Sequence, residues 1–309
     1  MVALRSRIKS PLKTGFTLIE LSIVLVIIGL IIGGVLVGQD LINTATIRAQ
    51  ISQLEKYQAA VNTFRGKYGY LPGDIPDPDA TQFGFATRGL YAGEGDGNGL
   101  IEGIYQDAAN SNAGTYEGSG ETGMFWVDLS KAQMLDGGFN TAGPTTPTGV
   151  VPGNLIGSYL PQAKLGRGNF IYVWSGGWPN NCAGGLLPPD NINYFGISAA
   201  GHLWNSDLGG TTAMTVSEAY NIDNKIDDGL PQSGSITALY LPTGCAYWAY
   251  SSMSGMQGAH AANDGPTTNA TQGTSATCYD NGNVAGVEKY STGQNNGTGL
   301  NCALSIRFQ

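Results

Sequence analysis

The hydrophobic and polar positions change their rhythm twice along this chain. From Phe16 to Gly38 the residues are uncharged and mostly aliphatic, with one exception, Glu20. Those 23 residues span about 34 Å as a helix, enough to cross a ~30 Å hydrocarbon core. The pattern then becomes periodic: Ile47, Ile51, Leu54, Tyr57, Val61, Phe64 and Tyr68 recur at steps of three and four. That spacing predicts the apolar stripe of an amphipathic helix, with Arg48, Gln50, Gln53, Lys56 and Arg65 on its other faces. One helix is therefore expected from Phe16 to about Lys67, ended by Gly69 and Pro72.

Beyond residue 68 the pattern is that of short strands and many turns. Strands are expected at Asn169–Ser175, Tyr194–Ser198, Ser235–Leu241, Ala246–Ser251 and Ala303–Phe308. In the last, Leu304, Ile306 and Phe308 should face one side and Ser305 and Arg307 the other. Helices are expected at about Thr122–Leu135, stopped by Gly137-Gly138, and from the capping box Thr215-Val-Ser-Glu218 to Gly229. Asn140–Pro152 and Gly255–Thr277 read as surface loops. The result is an α+β chain: a long N-terminal helix packed on a β-rich head with an antiparallel sheet and large loop insertions.

Composition sharpens this picture. Charged residues are only 12% and glycines number 47 of 309, which favours turns and strands over a helical bundle. Residues 1–15 carry Arg5, Arg7, Lys9 and Lys13 and no acid, a charge of +4; subtracting this from the whole-chain −8 leaves −12 for the remainder. So acidic a body, without interleaved basic and aromatic residues, argues against a nucleic-acid groove. The basic residues precede the apolar run, so the positive-inside rule keeps the N-terminus cytoplasmic and exports the chain beyond Gly38. Four widely spaced cysteines, Cys182, Cys245, Cys278 and Cys302, then read as two disulfides. Three pairings are open; Cys182–Cys245 with Cys278–Cys302 is favoured because it closes the shorter loops.

Glu20 needs a reason, since a lone carboxylate at mid-bilayer costs roughly 2.5–3.5 kcal/mol or more. A secretory signal has a shorter apolar core and an A-x-A-like cleavage site, which this segment lacks. A permanent anchor leaves the acid unexplained. Cleavage between Gly15 and Phe16 explains it: the new α-amino group lies four residues from Glu20, and two opposite charges in an apolar setting neutralise each other. The amine can belong to the same helix or to a neighbouring one.

At these residues, KTGFTLIELSIVLVIIGLI, the chain resembles the class III signal of type IV pilins and type II secretion pseudopilins. The resemblance implies a 1–15 basic leader cut after Gly15 by a prepilin peptidase/methyltransferase, N-methylation at Phe16, and assembly through Glu20. It implies a helix of 16–68, its 16–38 part lying in the membrane or filament core and 39–68 amphipathic, with a globular head at 69–309. The partners implied are like subunits and an inner-membrane assembly platform. The subunit would wait in the bacterial inner membrane with its head periplasmic, then enter a pilus or periplasmic filament. A head of 241 residues also fits a minor tip subunit acting as an adhesin or binding module, the one role in which nucleic acid could be a ligand. The chain departs from many relatives in having Val37, among Gly33, Gly34 and Gly38, where they carry a helix proline.

Candidate chemistry in the head is sparse. In GEGDGNGLIEG, Glu94, Asp96, Asn98 and Glu102 fall at ligand positions of a calcium-loop template, with Gly99 at the turn, but Tyr105 replaces the closing acid. Asp223, Asp227 and Asp228 crowd an expected helix C-terminus, where the dipole disfavours acids; a cation or an ordinary solvated cap is expected. Trp174, Trp178, Trp204 and Trp248 offer either core or a surface-binding patch. HExxH, G-x-S-x-G and phosphate-loop motifs are absent, and no enzymatic activity is expected.

Overall fold

A computed structural model describes residues 15–89, 93–103, 118–144, 150–175, 191–203, 208–241, 246–249, 276–280 and 288–309. By backbone contacts the chain forms two compact units, divided between Thr46 and Ile47. Helix α1 (Leu18–Tyr68) is continuous through Gly33, Gly34 and Gly38. It starts two residues later than the hydrophobic run suggests, because Thr17 caps it.

In the first unit the helix is almost wholly exposed: Leu18, Leu30, Val37 and Leu41 are each more than half accessible. It is long and apolar enough to cross a membrane. Added Cβ atoms at Gly29, Gly33, Gly34 and Gly38 would meet nothing within 4 Å. Such an apolar surface needs an apolar surrounding, lipid or other helices.

The second unit begins where the stripe begins. Ile47, Leu54, Tyr57, Val61 and Phe64 are buried and Ile51 and Tyr68 partly so. Gln50 overturns one sequence expectation: it lies in the core rather than on a polar face. Its Oε1 accepts the Leu165 N–H at 3.3 Å, and Gln53 bonds the same 162–165 segment through Gln162 O (2.9 Å) and Lys164 N (3.1 Å). These amides tie the helix to a loop whose backbone groups would otherwise lack partners.

A five-stranded antiparallel sheet forms the centre. Its strands are β1 (Asn169–Ser175), β2 (Asn193–Ala200), β3 (Gly210–Thr211), β4 (Ile236–Thr237) and β5 (Leu304–Arg307). The order is β1-β2-β5-β4, and β3 pairs with the end of β2. Ile171, Val173, Phe195, Ile197, Leu304 and Ile306 share one face through the register. Phe195 lies 6.3 Å from Tyr57 of α1 and 6.1 Å from Phe125 of α2 (Gly120–Lys131), centroid to centroid.

The opposite face was expected to be polar where Ser305 lies; instead Ser305 is fully buried. Its hydroxyl donates to Leu239 O (3.0 Å) and accepts from Trp174 Nε1 (3.2 Å). Tyr172 lies on this face over Gly196, where a Cβ would meet its ring at 2.2 Å, and its hydroxyl oxygen accepts the Leu241 N–H at 3.2 Å. The sheet is thus covered on both sides, which removes the alternation that a half-exposed strand would show. Trp174, stacked on Tyr194 at 4.7 Å, is core.

Other boundaries shift for local reasons. The single strand expected at Ser235–Leu241 divides at Ala238: β4 joins the main sheet, whereas Leu239–Tyr240 pairs with Tyr247–Trp248. Ala238 bonds outward instead, its N–H to Pro231 O and its carbonyl to Ala249 N, both 2.7 Å. α2 stops at Lys131 rather than Leu135, because Gln133 turns into the left-handed region (φ 58°). α3 (Val216–Ile226) carries the expected capping box, with both Thr215–Glu218 bonds present, but ends before Gly229. Cys278 and Cys302 form a disulfide. Cys182 and Cys245 lie outside the described residues, as do Trp178, Trp204 and most of Gly255–Thr277.

Candidate functional site

Two places concentrate the candidate residues. The first is the start of α1. Phe16 is 82% exposed. Thr17 is the cap: its Oγ1 accepts the Glu20 N–H at 3.3 Å, while Glu20 Oε2 accepts the Thr17 N–H (2.8 Å) and hydroxyl (2.7 Å). This is a capping box. It satisfies two N–H groups that a helix start otherwise leaves open. Both donors on the carboxylate come from Thr17 and reach one oxygen; Oε1 accepts no hydrogen bond among the described residues. The T-x-x-E spacing of Thr17-Leu-Ile-Glu20 is the sequence signal for this box, and it is missed when Glu20 is read only as a charge seeking a partner.

The box leaves room for a second partner. Glu20 Oε1 can accept from a cationic donor while Oε2 stays with Thr17. Cleavage after Gly15 would also leave the box intact, since the Thr17 N–H remains a peptide amide.

The second place is the loop 93–103. It is closed by two carboxylates from outside it. Asp74 accepts the N–H groups of Gly97 (2.7 Å) and Gly99 (2.8 Å). Glu121, on the first turn of α2, accepts those of Gly95 (2.9 Å), Asp96 (3.3 Å) and Glu102 (2.9 Å). Within the loop, Asn98 Nδ2 bridges Asp96 and Glu102, both at 3.1 Å. Of the expected carboxylate ligands Glu94, Asp96 and Glu102, only Asp96 groups with Asp74 and Glu121, one oxygen of each lying within 4.8 Å of the others. Glu94 packs over Gly89.

Asp74 and Glu121 are far from the calcium-loop motif in sequence, so spacing alone gave no sign of them. Burial pushes the Asp74 carboxyl up to about 7. Burial, then the neighbouring Asp74, raises Glu121 well above the carboxylate range, and burial raises Glu102. An oxygen-only set of three or four acids suits a hard cation such as calcium. The backbone N–H groups already supply part of the compensation a cation would give. Beside the loop, Arg88 and Asp128 form a buried ion pair at 2.5 Å, and Asp128 also accepts the Gly73 N–H.

The aspartates at the C-terminal end of α3 serve the turn that follows it. Asp223 accepts from Gly229 N (3.0 Å) and Tyr290 Oη (2.7 Å), Asp228 from Leu230 N (2.8 Å) and Ser233 Oγ (2.6 Å), and Asp227 from the Ser235 and Ile236 N–H groups. Their oxygens also come within 4.8 Å of one another.

No family model, curated protein or solved structure matches this chain.

Proposed function

We propose that the chain is a structural subunit of a type IV pilus-like or type II secretion filament, made as a prepilin, cleaved after Gly15 and N-methylated at Phe16. The observation that carries this reading is the exposed apolar helix of α1, which holds one carboxylate at its first turn, four residues after the proposed new amine. Before assembly the helix lies in the bacterial inner membrane with the head in the periplasm. In the filament it packs against like helices, and Glu20 accepts the Phe16 amine of a neighbour. The disulfide fits an oxidising compartment. Calcium at Asp74, Asp96 and Glu121, with Glu102 and Asn98 alongside, would brace the 93–103 loop.

Intact-mass measurement in peptidase-competent cells tests the reading. The mature chain should begin at a methylated Phe16, and Gly15→Val should block cutting. Retention of residues 1–15 on the wild-type chain overturns it.

A further inference from the structure

A cleft of about 530 Å³ runs between one face of α1, the C-terminal end of α3 and the β4–β5 edge of the sheet. Its lining includes the apolar side chains Ile51, Leu54, Phe195 and Ile306, with Ile226 40% exposed at the wall. Lys225 and Arg307 stand among them, and neither forms an ion pair among the described residues. Arg307 spends only its Nε, on Gln309 O at 3.1 Å. Glu55 is the one acid of the lining, so the cleft carries a net positive charge on an otherwise acidic body.

We infer that this cleft receives the α1 segment around Asp40 from a second copy of the chain. The inference rests on the filament reading above and names a further contact within it. Glu20 and Asp40 are the only charged residues between Phe16 and Ile47. Asp40 is exposed and has no ion pair among the described residues. Around it Leu36, Val37 and Leu41 are 58%, 61% and 66% exposed. The segment therefore offers one carboxylate amid apolar side chains, and the cleft offers two cations amid apolar side chains. Copies of this chain supply both halves, and the pairing fixes where along α1 a neighbour sits. It is separate from the amine contact, since Glu20 and Asp40 lie twenty residues apart.

Reciprocal charge reversal in the full-length chain tests the contact, read as the fraction of processed subunit in sheared filaments. Asp40→Lys alone and Lys225→Glu with Arg307→Glu should each lower incorporation about tenfold, and the triple variant should recover most of it, since contacting sites couple non-additively. All three side chains are exposed, so folding and cleavage should be unchanged. Independently, Asp40→Cys and Lys225→Cys chains made together should yield a disulfide-linked dimer that neither yields alone. Wild-type filaments with no recovery in the triple variant and no cross-link overturn the inference and leave the filament reading standing. A specific cross-link between chains that retain residues 1–15, in cells that make no filament, supports the contact and removes the filament reading.

Discussion

Glu20 Oε2 accepts both the backbone N–H and the hydroxyl of Thr17, at 2.8 and 2.7 Å, across the first turn of α1. The acid that an apolar helix ought not to carry is thus half satisfied by its own chain. The other half of the carboxylate is what the proposed assembly uses.

Glu20→Val removes both functions. Membrane insertion and cleavage should persist, because the run only becomes more apolar. Filament incorporation should fall a hundredfold or more, as loss of one side of a buried charge pair costs about 3–5 kcal/mol. Counting processed subunit in sheared filaments against the membrane pool checks this; normal incorporation would refute the pairing.

Thr17→Val separates the cap from the charge. It removes the hydroxyl and should loosen the first turn by about 1 kcal/mol, seen as faster hydrogen exchange at the Glu20 amide. Thr17→Ser should restore protection. Unchanged exchange in Thr17→Val would show that the box does not form in the membrane.

The 93–103 loop should make stability depend on pH. Asp74, Glu102 and Glu121 have raised folded-state pKa values, so the folded chain binds more protons than the unfolded one. Their contribution is fully present below the ordinary carboxylate range and is lost as pH rises through about 7 for Asp74. The unfolding temperature in detergent should therefore fall from pH 5 to 8 more steeply in the wild type than in Asp74→Asn. If calcium binds there, adding it at pH 8 should reverse the fall in the wild type only. Parallel pH profiles would count against the raised pKa, and equal shifts with calcium against the site.

Gly196→Ala places a methyl group against the ring of Tyr172. Tyr172 is fully buried and its hydroxyl is held by Leu241 and Ser198, so it cannot swing aside. Overpacking of this kind costs about 1–3 kcal/mol. A denaturation midpoint equal to wild type would show that the sheet accommodates it.

The Cys278–Cys302 bridge joins the 276–280 segment to the residues just before β5. Replacing both cysteines by Ala should cost about 2–4 kcal/mol in the oxidised protein and much less in reducing buffer, where only the packing of two buried sulfurs is lost. Thiol labelling of the unfolded, unreduced chain should leave both unlabelled.

Local chemistry was legible in the sequence alone. The run from Phe16 to Gly38 and the stripe from Ile47 to Tyr68 have helical period and length, and the Thr215–Glu218 box is a signal within four residues. β1 was readable from its aromatic and β-branched composition. Each of these depends on interactions between near neighbours along the chain. What the sequence could not show depends on which surfaces meet. Ser305 and Gln50 look like solvent-facing residues, but one lies beneath the 239–241 segment and the other against the 162–165 loop, each with a hydrogen-bond partner more than sixty positions away. Asp74 and Glu121 belong to the acidic loop only because the segment after α1 and the start of α2 pack beside it, and burial there raises the pKa of both. The apolar run and its lone acid are written in periodicity and charge; the buried polar core and the carboxylate clamp exist only once distant segments exclude water together.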